Sequence, residues 1–234
     1  MKKTENLKRV ALVAAAGNGS RFNAEQNKQF LVLDGYPVLA LTLLKLSKSS
    51  YIDEIVIIAR DFEIGTINKL INDFSIKKVS SIISGGKTRQ ESVYNGLKSI
   101  SDNSVVLIHD GARPFFPDES LKDLISSAKE FGGAALGVLP KDTVAKVDKD
   151  GIFKESSNRS DLRNMQTPQV FKTDLIKDAH EKAKKENLEF TDDCSLFSYY
   201  GGKCLILDGD YDNIKITVPE DLKIAQLIVK KENL

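Results

Sequence analysis

Four short strand-like runs, at residues 9–15, 54–59, 78–84 and 104–109, constrain this chain most. They are rich in Val, Ile, Leu and Ala, and most lack the polar alternation of a strand with one wet face. Helix-like stretches at 37–46, 62–74, 88–100 and 119–131 alternate with them. In the last, Leu121, Leu124, Ile125 and Ala128 recur at i, i+3, i+4 and i+7. Continuous apolar strands separated by helices predict a parallel sheet covered on both faces. The fold class is therefore α/β, with a parallel central sheet. In such sheets ligands gather beyond the carboxyl ends of the strands.

Three unusual loops follow strands directly and so share that edge. The first runs Ala14-Ala15-Ala16-Gly17-Asn18-Gly19-Ser20-Arg21 and continues to Lys28-Gln29-Phe30. Small residues let backbone N–H groups approach a phosphate chain, and Arg21 and Lys28 add positive charge. The segment lacks the Gly-Lys-Ser/Thr ending of a P-loop and the third glycine of a dinucleotide fingerprint. A nucleoside triphosphate is the natural guest, and a plain glycine turn with solvated basic side chains is the alternative. The second loop is Gly85-Gly86-Lys87, followed by Ser92, where backbone and hydroxyl can meet a nucleobase or ribose. The third is Asp110-Gly111. A carboxylate at a strand end facing a phosphate loop can hold Mg²⁺ or another divalent cation, or can simply cap a turn. Asp212 is a second carboxylate of this kind. Arg113, Arg159 and Lys215 are candidate phosphate ligands, and Thr143, Thr167 and Thr191 offer hydroxyls in loop positions. His109 reads as a satisfied strand-end residue, and His180 as a surface residue of a helix.

After Val138 the rhythm breaks. Residues 141–158 are polar, with the turn Asp148-Lys149-Asp150-Gly151 between two short apolar pieces, which predicts a β-hairpin arm. An isolated hairpin has little core of its own and needs a surface to pack on, most simply a second subunit. A helix is expected over 173–185 and strands over 203–207 and 213–217. A last helix is expected with Thr217 as its N-cap, Pro219 and Glu220 in its first turn, and Leu222, Ala225, Ile228 and Val229 facing the core.

The 234 residues suit one domain, 1–234, and the net charge of +1 provides no global field toward nucleic acid or membrane. No basic, aromatic-rich face and no apolar run near 20 residues appears, so neither nucleic acid nor membrane is expected as a partner. The Ala-Ala-Ala-Gly stretch could pass for a signal cleavage site, but cleavage there would delete the glycine loop. Cys194 and Cys204 lack further ligands at zinc spacing, and a reducing, cytoplasmic setting is expected.

The segments taken together resemble one family. They are Ala-Ala-Ala-Gly-x-Gly-x-Arg (14–21), Lys-Gln-Phe (28–30), Gly-Gly-Lys-x-Arg-x-x-Ser-Val (85–93), His-Asp-Gly-Ala-Arg-Pro (109–114), Asp-Thr-Val (142–144), Gln-Thr-Pro-Gln-Val-Phe (166–171), Thr-Asp-Asp (191–193) and Asp-Asn-Ile-Lys-Ile-Thr-x-Pro-Glu-Asp-Leu (212–222). This order is similar to that of the 2-C-methyl-D-erythritol 4-phosphate cytidylyltransferases, over residues 9–227. The resemblance implies a Rossmann-like, glycosyltransferase-A-like nucleotidyltransferase domain with a mostly parallel central sheet, and a homodimer with interlocking arms. It implies transfer of CMP from CTP to methylerythritol phosphate with release of pyrophosphate. Arg21 and Lys28 would then stabilise charge on the triphosphate, and Arg159 and Lys215 would hold the acceptor phosphate. Asp110 and Asp212 would hold Mg²⁺. Ala15, Ala16, Gly17, Gly19, Gly86, Ser92, Asp110 and Gly111 would line the CTP site, where backbone groups in a small pocket would select cytosine. Arg113, Thr143, Thr167 and Thr191 would contact the sugar phosphate, partly across the dimer. Two departures stand out: Ala14 replaces the usual proline, and Gly111 replaces the first alanine of the usual His-Asp-Ala-Ala-Arg-Pro. A ribitol-5-phosphate cytidylyltransferase, whose middle block usually has valine where Ala112 stands, is the nearest rival. A non-catalytic nucleotide-binding regulator is the remote one.

Overall fold

A computed structural model describes residues 7–17 and 28–232, with the side chains of Lys28 and Glu232 outside that description. Seven strands form one sheet. In chain order they are β1 (Lys8–Ala14), β4 (Glu54–Ala59), β5 (Val79–Ser84), β6 (Ser104–Asp110), β7 (Gly132–Val138), β10 (Asn164–Lys172) and β11 (Lys203–Asp208). Their spatial order is β11-β7-β10-β6-β1-β4-β5. β1 runs parallel to β4 and β6, β5 to β4, and β11 to β7, while β10 lies antiparallel between β6 and β7. The α/β sheet expected from the apolar runs is therefore present, and it is mostly parallel.

Successive side chains of a strand point to opposite faces, and β1 shows the consequence. Ala11 and Val13 join a core formed with helices α1 (Val38–Lys48), α2 (Ile64–Asp73) and α4 (Ser120–Phe131). Val10 and Leu12 join a second core with α3 (Arg89–Lys98), α5 (Thr173–Glu186) and α6 (Asp193–Tyr199). A third cluster unites α7 (Pro219–Glu232) with Leu33, Val38, Ala112 and Phe115. It includes Ile216, so it fixes the segment carrying Lys215 beside the end of β6.

The helix boundaries follow local chemistry. Thr88 caps α3, its Oγ1 accepting the Glu91 N–H at 3.1 Å. Asn187 closes α5 in the left-handed region. At α7 the expected cap is corrected: the Thr217 hydroxyl donates to the Lys215 carbonyl at 3.1 Å. The Asp221 carboxylate instead accepts the N–H groups of Thr217 at 2.7 Å and Val218 at 3.0 Å. An ionised carboxylate is the stronger acceptor for unpaired helix-start donors.

Four elements escape the sequence pattern. β7, Gly-Gly-Ala-Ala-Leu-Gly-Val, has few strand-forming residues because its neighbours leave no room: a Cβ at Gly133 would lie 2.9 Å from the Phe171 ring. β10 is disguised by Gln166, Thr167, Pro168 and Gln169, and its register with β7 shifts between Met165 and Gln169, where Pro168 has no N–H to give. Helix α6 and the small hairpin of β2 (Val32–Leu33) with β3 (Tyr36–Pro37) are the others. Conversely, 213–217 is not a strand. It is an irregular strap whose Ile216 N–H bonds the Ala112 carbonyl at 2.9 Å, and its apolar alternation serves the third core cluster.

The expected arm exists: β8 (Ala145–Val147) pairs antiparallel with β9 (Phe153–Ser156). Asp148 Oδ1 organises its turn by accepting the N–H groups of Asp150 and Ile152, each at 3.0 Å. Val147, Ile152 and Phe153 are 56%, 65% and 63% exposed, so the chain's own core does not cover this hairpin.

Helix α3 packs tightly on the sheet at Gly96, where a Cβ would sit 2.5 Å from Leu12 Cδ1 and 3.0 Å from Ile58 Cγ1. Gly96→Val should therefore destabilise the fold by roughly 2–3 kcal/mol through overpacking. Urea unfolding measures this, and an unchanged midpoint would contradict the close approach.

Candidate active site

The carboxyl ends of β1, β4, β5 and β6 converge, as expected, on one edge. Ala15 N–H bonds the Ile58 carbonyl at 2.8 Å, Gly85 N–H the Ala59 carbonyl at 2.8 Å, and Gly111 N–H the Ala14 carbonyl at 3.0 Å. These bonds lash the three loops together around a cavity of about 300 Å³. Its walls are Ala14, Ala16, Gly17 and Gln29 on one side, Gly86 to Arg89 with Ser92 on another, and Asp110 to Ala112 with Lys215 at the base. The Gln29 amide bonds the Ala15 carbonyl, and the Thr42 hydroxyl holds the Gly111 carbonyl at 2.9 Å. At Gly111 an alanine methyl would meet Leu39 Cδ1 at 3.0 Å and the Ala14 carbonyl at 3.3 Å, so glycine leaves this wall slightly wider.

Ser92 shapes the second loop. Its hydroxyl donates to the Thr88 carbonyl at 2.8 Å and accepts the Gly86 N–H at 2.9 Å. It therefore sets the pose of Gly86 while facing the cavity.

Asp110 is the electrostatic centre. It is buried, its N–H bonds Thr167 Oγ1 at 3.1 Å, and its Oδ2 lies 2.9 Å from Lys215 Nζ and 3.7 Å from Arg113 Nε. Burial alone would raise its pKa, yet Lys215, Arg89 and Arg113 together hold it well below the usual carboxylate range. Arg113 is also buried, which lowers its pKa from the ordinary value despite Asp110. Its Nη1 donates to the Asn213 carbonyl at 2.5 Å. Asn213, fully buried, donates in turn to Gln166 Oε1 at 3.2 Å and to the Thr167 carbonyl at 3.1 Å. The strap carrying Lys215 is thus sewn to β10. His109 is a buried structural residue: its Nε2 lies 3.0 Å from the Arg113 carbonyl, its ring meets Phe116 edge-on, and its Nδ1 has no hydrogen-bond partner among the described residues. Burial pushes its pKa down to about 4.

A second charged group was not foreseen. Arg89, at the start of α3, lines the cavity and its Nη2 lies 2.7 Å from Asp193 Oδ2. The other oxygen of Asp193 meets His180 Nε2 at 3.2 Å. His180 is only 1% exposed, which corrects its reading as a surface residue. Its partner lies on α6, the helix the sequence did not reveal. Burial would raise the Asp193 pKa, but Arg89 and His180 hold it down at about 2, and Asp193 above all raises that of Arg89. The signal available in the sequence was the Gly-Gly-Lys-x-Arg spacing, which puts an arginine in the first turn of a helix after a glycine loop.

The remaining candidates stand as follows. Gly17 and Ala16 line the cavity, and Ala15 is buried behind them. Thr167 lies beneath Asp110. Asp212 is not among the cavity residues, and its carboxylate pairs with Lys231 at 2.6 Å. Thr143 and Arg159 are exposed at the base of the arm, and Thr191 is exposed just ahead of α6. None of these three lines the cavity of this chain. Arg21 and Gly19 lie outside the described residues, and of Lys28 only the backbone, in the short helix Lys28–Phe30, is described.

Asp193→Asn leaves the Arg89 guanidinium without its carboxylate and should cost about 2–3 kcal/mol, discounted because Arg89 is one-third exposed. The folded pKa near 2 lies below the unfolded value near 4. This contribution is therefore complete above about pH 4 and fades as pH falls toward 2. Urea midpoints of the native protein and the variant should differ widely at pH 7, and the gap should shrink steadily between about pH 4 and pH 2. A gap independent of pH would contradict the assignment.

The chain is similar to known proteins over nearly its whole length. Residues 9–231 match the family described as IspD, 2-C-methyl-D-erythritol 4-phosphate cytidylyltransferase. A relative of that name from Clostridium novyi is 46% identical over 224 residues, covering 95% of this chain and 97% of its own. One from Clostridium acetobutylicum is 44% identical over 225 residues, covering 96% and 98%. Among solved structures, the 4-diphosphocytidyl-2C-methyl-D-erythritol synthase of Anaerococcus prevotii superposes with a TM-score of 0.85 at 30% identity, covering 96% of each chain. The cytidylyltransferase of Francisella tularensis gives 0.79 at 28% identity, covering 94% of this chain and 99% of its own. With a loop-walled cavity at one sheet edge, a buried acidic centre and full-length likeness in both sequence and fold, this chain belongs to the 2-C-methyl-D-erythritol 4-phosphate cytidylyltransferase family.

Proposed function

We infer that this chain transfers the cytidylyl group of CTP to 2-C-methyl-D-erythritol 4-phosphate, giving 4-diphosphocytidyl-2-C-methyl-D-erythritol and pyrophosphate. The observation that carries this reading is the cavity itself: three backbone loops lashed over one buried carboxylate, with Lys215, Arg89 and Lys87 on its walls. An acceptor phosphate oxygen attacks the α-phosphorus, the α–β phosphoanhydride bond breaks, and pyrophosphate leaves. Such a reaction needs alignment and charge stabilisation more than acid–base help. The loop at Ala15–Gly19 with Arg21 and Lys28 is assigned to the triphosphate. Gly86, Ser92, Asp110 and Gly111 are assigned to the cytidine side. Lys215 is assigned to the acceptor phosphate, and its pairing with Asp110 holds it ready at the base of the cavity.

A divalent cation fits this donor set. Asp110 is ionised and faces the cavity, and Mg²⁺ is commonly held by one or two carboxylates together with substrate phosphates. Asp110 would hold it, with Asp212 joining once released from Lys231. The ion would supply charge neutralisation on the triphosphate.

Arg159, Thr143, Arg113, Thr167 and Thr191 complete the proposed acceptor site, the first two from the arm of a second copy. The exposed apolar faces of Val147, Ile152 and Phe153 support an arm-exchanged homodimer. Among the described residues no helix is long and apolar enough to cross a membrane, and the proposed location is the cytoplasm.

Pyrophosphate release with CTP and Mg²⁺ tests the reaction, with methylerythritol phosphate and ribitol 5-phosphate compared as acceptors. Release with the former alone is expected, and preference for ribitol phosphate would move the chain to the rival chemistry. Arg21→Ala and Lys28→Ala should each lower kcat about a hundredfold or more, and unchanged turnover would remove the role. Lys215→Ala should raise the KM for the sugar phosphate chiefly, whereas a rise confined to CTP would reassign it. Phe153→Asp should shift the sedimentation of the protein from dimer toward monomer, and an unshifted dimer would place the interface elsewhere.

A further inference from the structure

The chain has two cysteines, and the fold brings them together. Cys194 sits in the first turn of α6 and Cys204 is the second residue of the edge strand β11. Their Sγ atoms are 3.0 Å apart and both are free thiols. The chain between them doubles back through a glycine turn, with Gly201 N–H on the Ser198 carbonyl and Gly202 N–H on the Phe197 carbonyl, each at 3.0 Å. The Cys194 N–H is anchored on Gln169 Oε1 at 3.2 Å. Cys204 is held in turn by its pairing with Gly133 in the ladder of β11 and β7, and the sulfurs stand about 1 Å beyond the length of an S–S bond. Among the described residues no group of three or more His, Cys, Asp or Glu is placed to hold a metal, so a thiolate metal site is not the reason for the pairing.

We propose that Cys194 and Cys204 are an oxidation site that closes to an intramolecular disulfide when the protein meets a peroxide. The entry point is Cys204, which is partly exposed, whereas Cys194 is buried, and the neighbouring Cys204 together with burial raises its thiol pKa. The peroxide O–O bond breaks as the Cys204 sulfur takes one hydroxyl, giving a sulfenic acid, and the first water leaves with the thiol proton. The Cys194 sulfur then attacks the Cys204 sulfur. The S–O bond breaks, and the hydroxyl leaves as a second water with the Cys194 proton. Two thiols lose two electrons in total and one peroxide gains them. The bond staples the start of α6 to β11. The preceding residue, Asp193, holds Arg89 at the cavity, so the staple fixes this wall in the arrangement it already has.

Hydrogen peroxide treatment of the whole protein, followed by thiol titration in denaturant and non-reducing peptide mass mapping, tests this. The expected result is loss of both thiols with one linked peptide pair lighter by two hydrogens, reversed by dithiothreitol, in a chain that is not cross-linked to another copy. The thermal midpoint should rise by about 5–10 °C, as expected for closing a short loop. Cys194→Ser, shown to be folded by its reduced melting curve, should instead carry Cys204 on to sulfinic acid. Retention of both thiols, sulfinic acid at Cys204 beside an intact Cys194 in the native protein, or a disulfide between two chains would each overturn the proposal.

Discussion

A buried carboxylate is costly unless cations and hydrogen bonds surround it, and Asp110 at the end of β6 imposes that demand on the rest of this molecule. Its cations come from three places far apart in the chain: Arg113 from the turn after β6, Arg89 from the head of α3, and Lys215 from the strap before α7. Lys215 reaches Asp110 because Asn213 is stitched to β10 and Ile216 is buried under α7. The third hydrophobic cluster is thus coupled to the site: it seats the strap that neutralises the carboxylate. One charge at a strand end therefore explains why an antiparallel strand, an irregular strap and a terminal helix meet where they do.

Arg89 faces a similar demand with the sign reversed. It lines the cavity, and Asp193, itself in contact with His180, holds it. Gln90 adds two bonds to the same region, giving its amide to the Leu188 carbonyl and accepting the Phe190 N–H, both at 2.9 Å. The head of α3 is thereby fixed to the segment leading into α6. Among the described residues, three basic groups and one carboxylate line the pocket, an arrangement that favours a polyanionic guest.

Much of this was readable from residue patterns, and the exceptions have physical causes. β1, β4 and β6 announced themselves because strands buried on both faces must be apolar throughout. The loops after β1, β5 and β6 followed from the rule that parallel strands deliver their ends to one edge. β7 was hidden because contact with the Phe171 and Phe197 rings demands glycine where strand-forming residues are normally found. β10 was hidden because its buried polar residues bond outside the apolar core: Gln166 to the strap, Thr167 to Asp110 and Gln169 to the start of α6. His180 was misplaced for a related reason, since its partner Asp193 is thirteen residues away across a turn that no periodicity reports. Arg89, Asn213 and the Cys194–Cys204 pair acquire meaning only through long-range contacts. Arg21 and Lys28 are read from the motif alone.

The central claim is that the edge cavity beneath the three loops receives CTP, and the most direct measurement is a crystal structure of the protein grown with CTP and Mg²⁺. The account predicts the cytidine between the Gly86–Ser92 loop and the Asp110–Gly111 turn, the triphosphate along the Ala15–Gly19 loop, and the metal on Asp110. CTP bound outside that cavity, for example in the neighbouring groove between Tyr94 and Lys184, would contradict it.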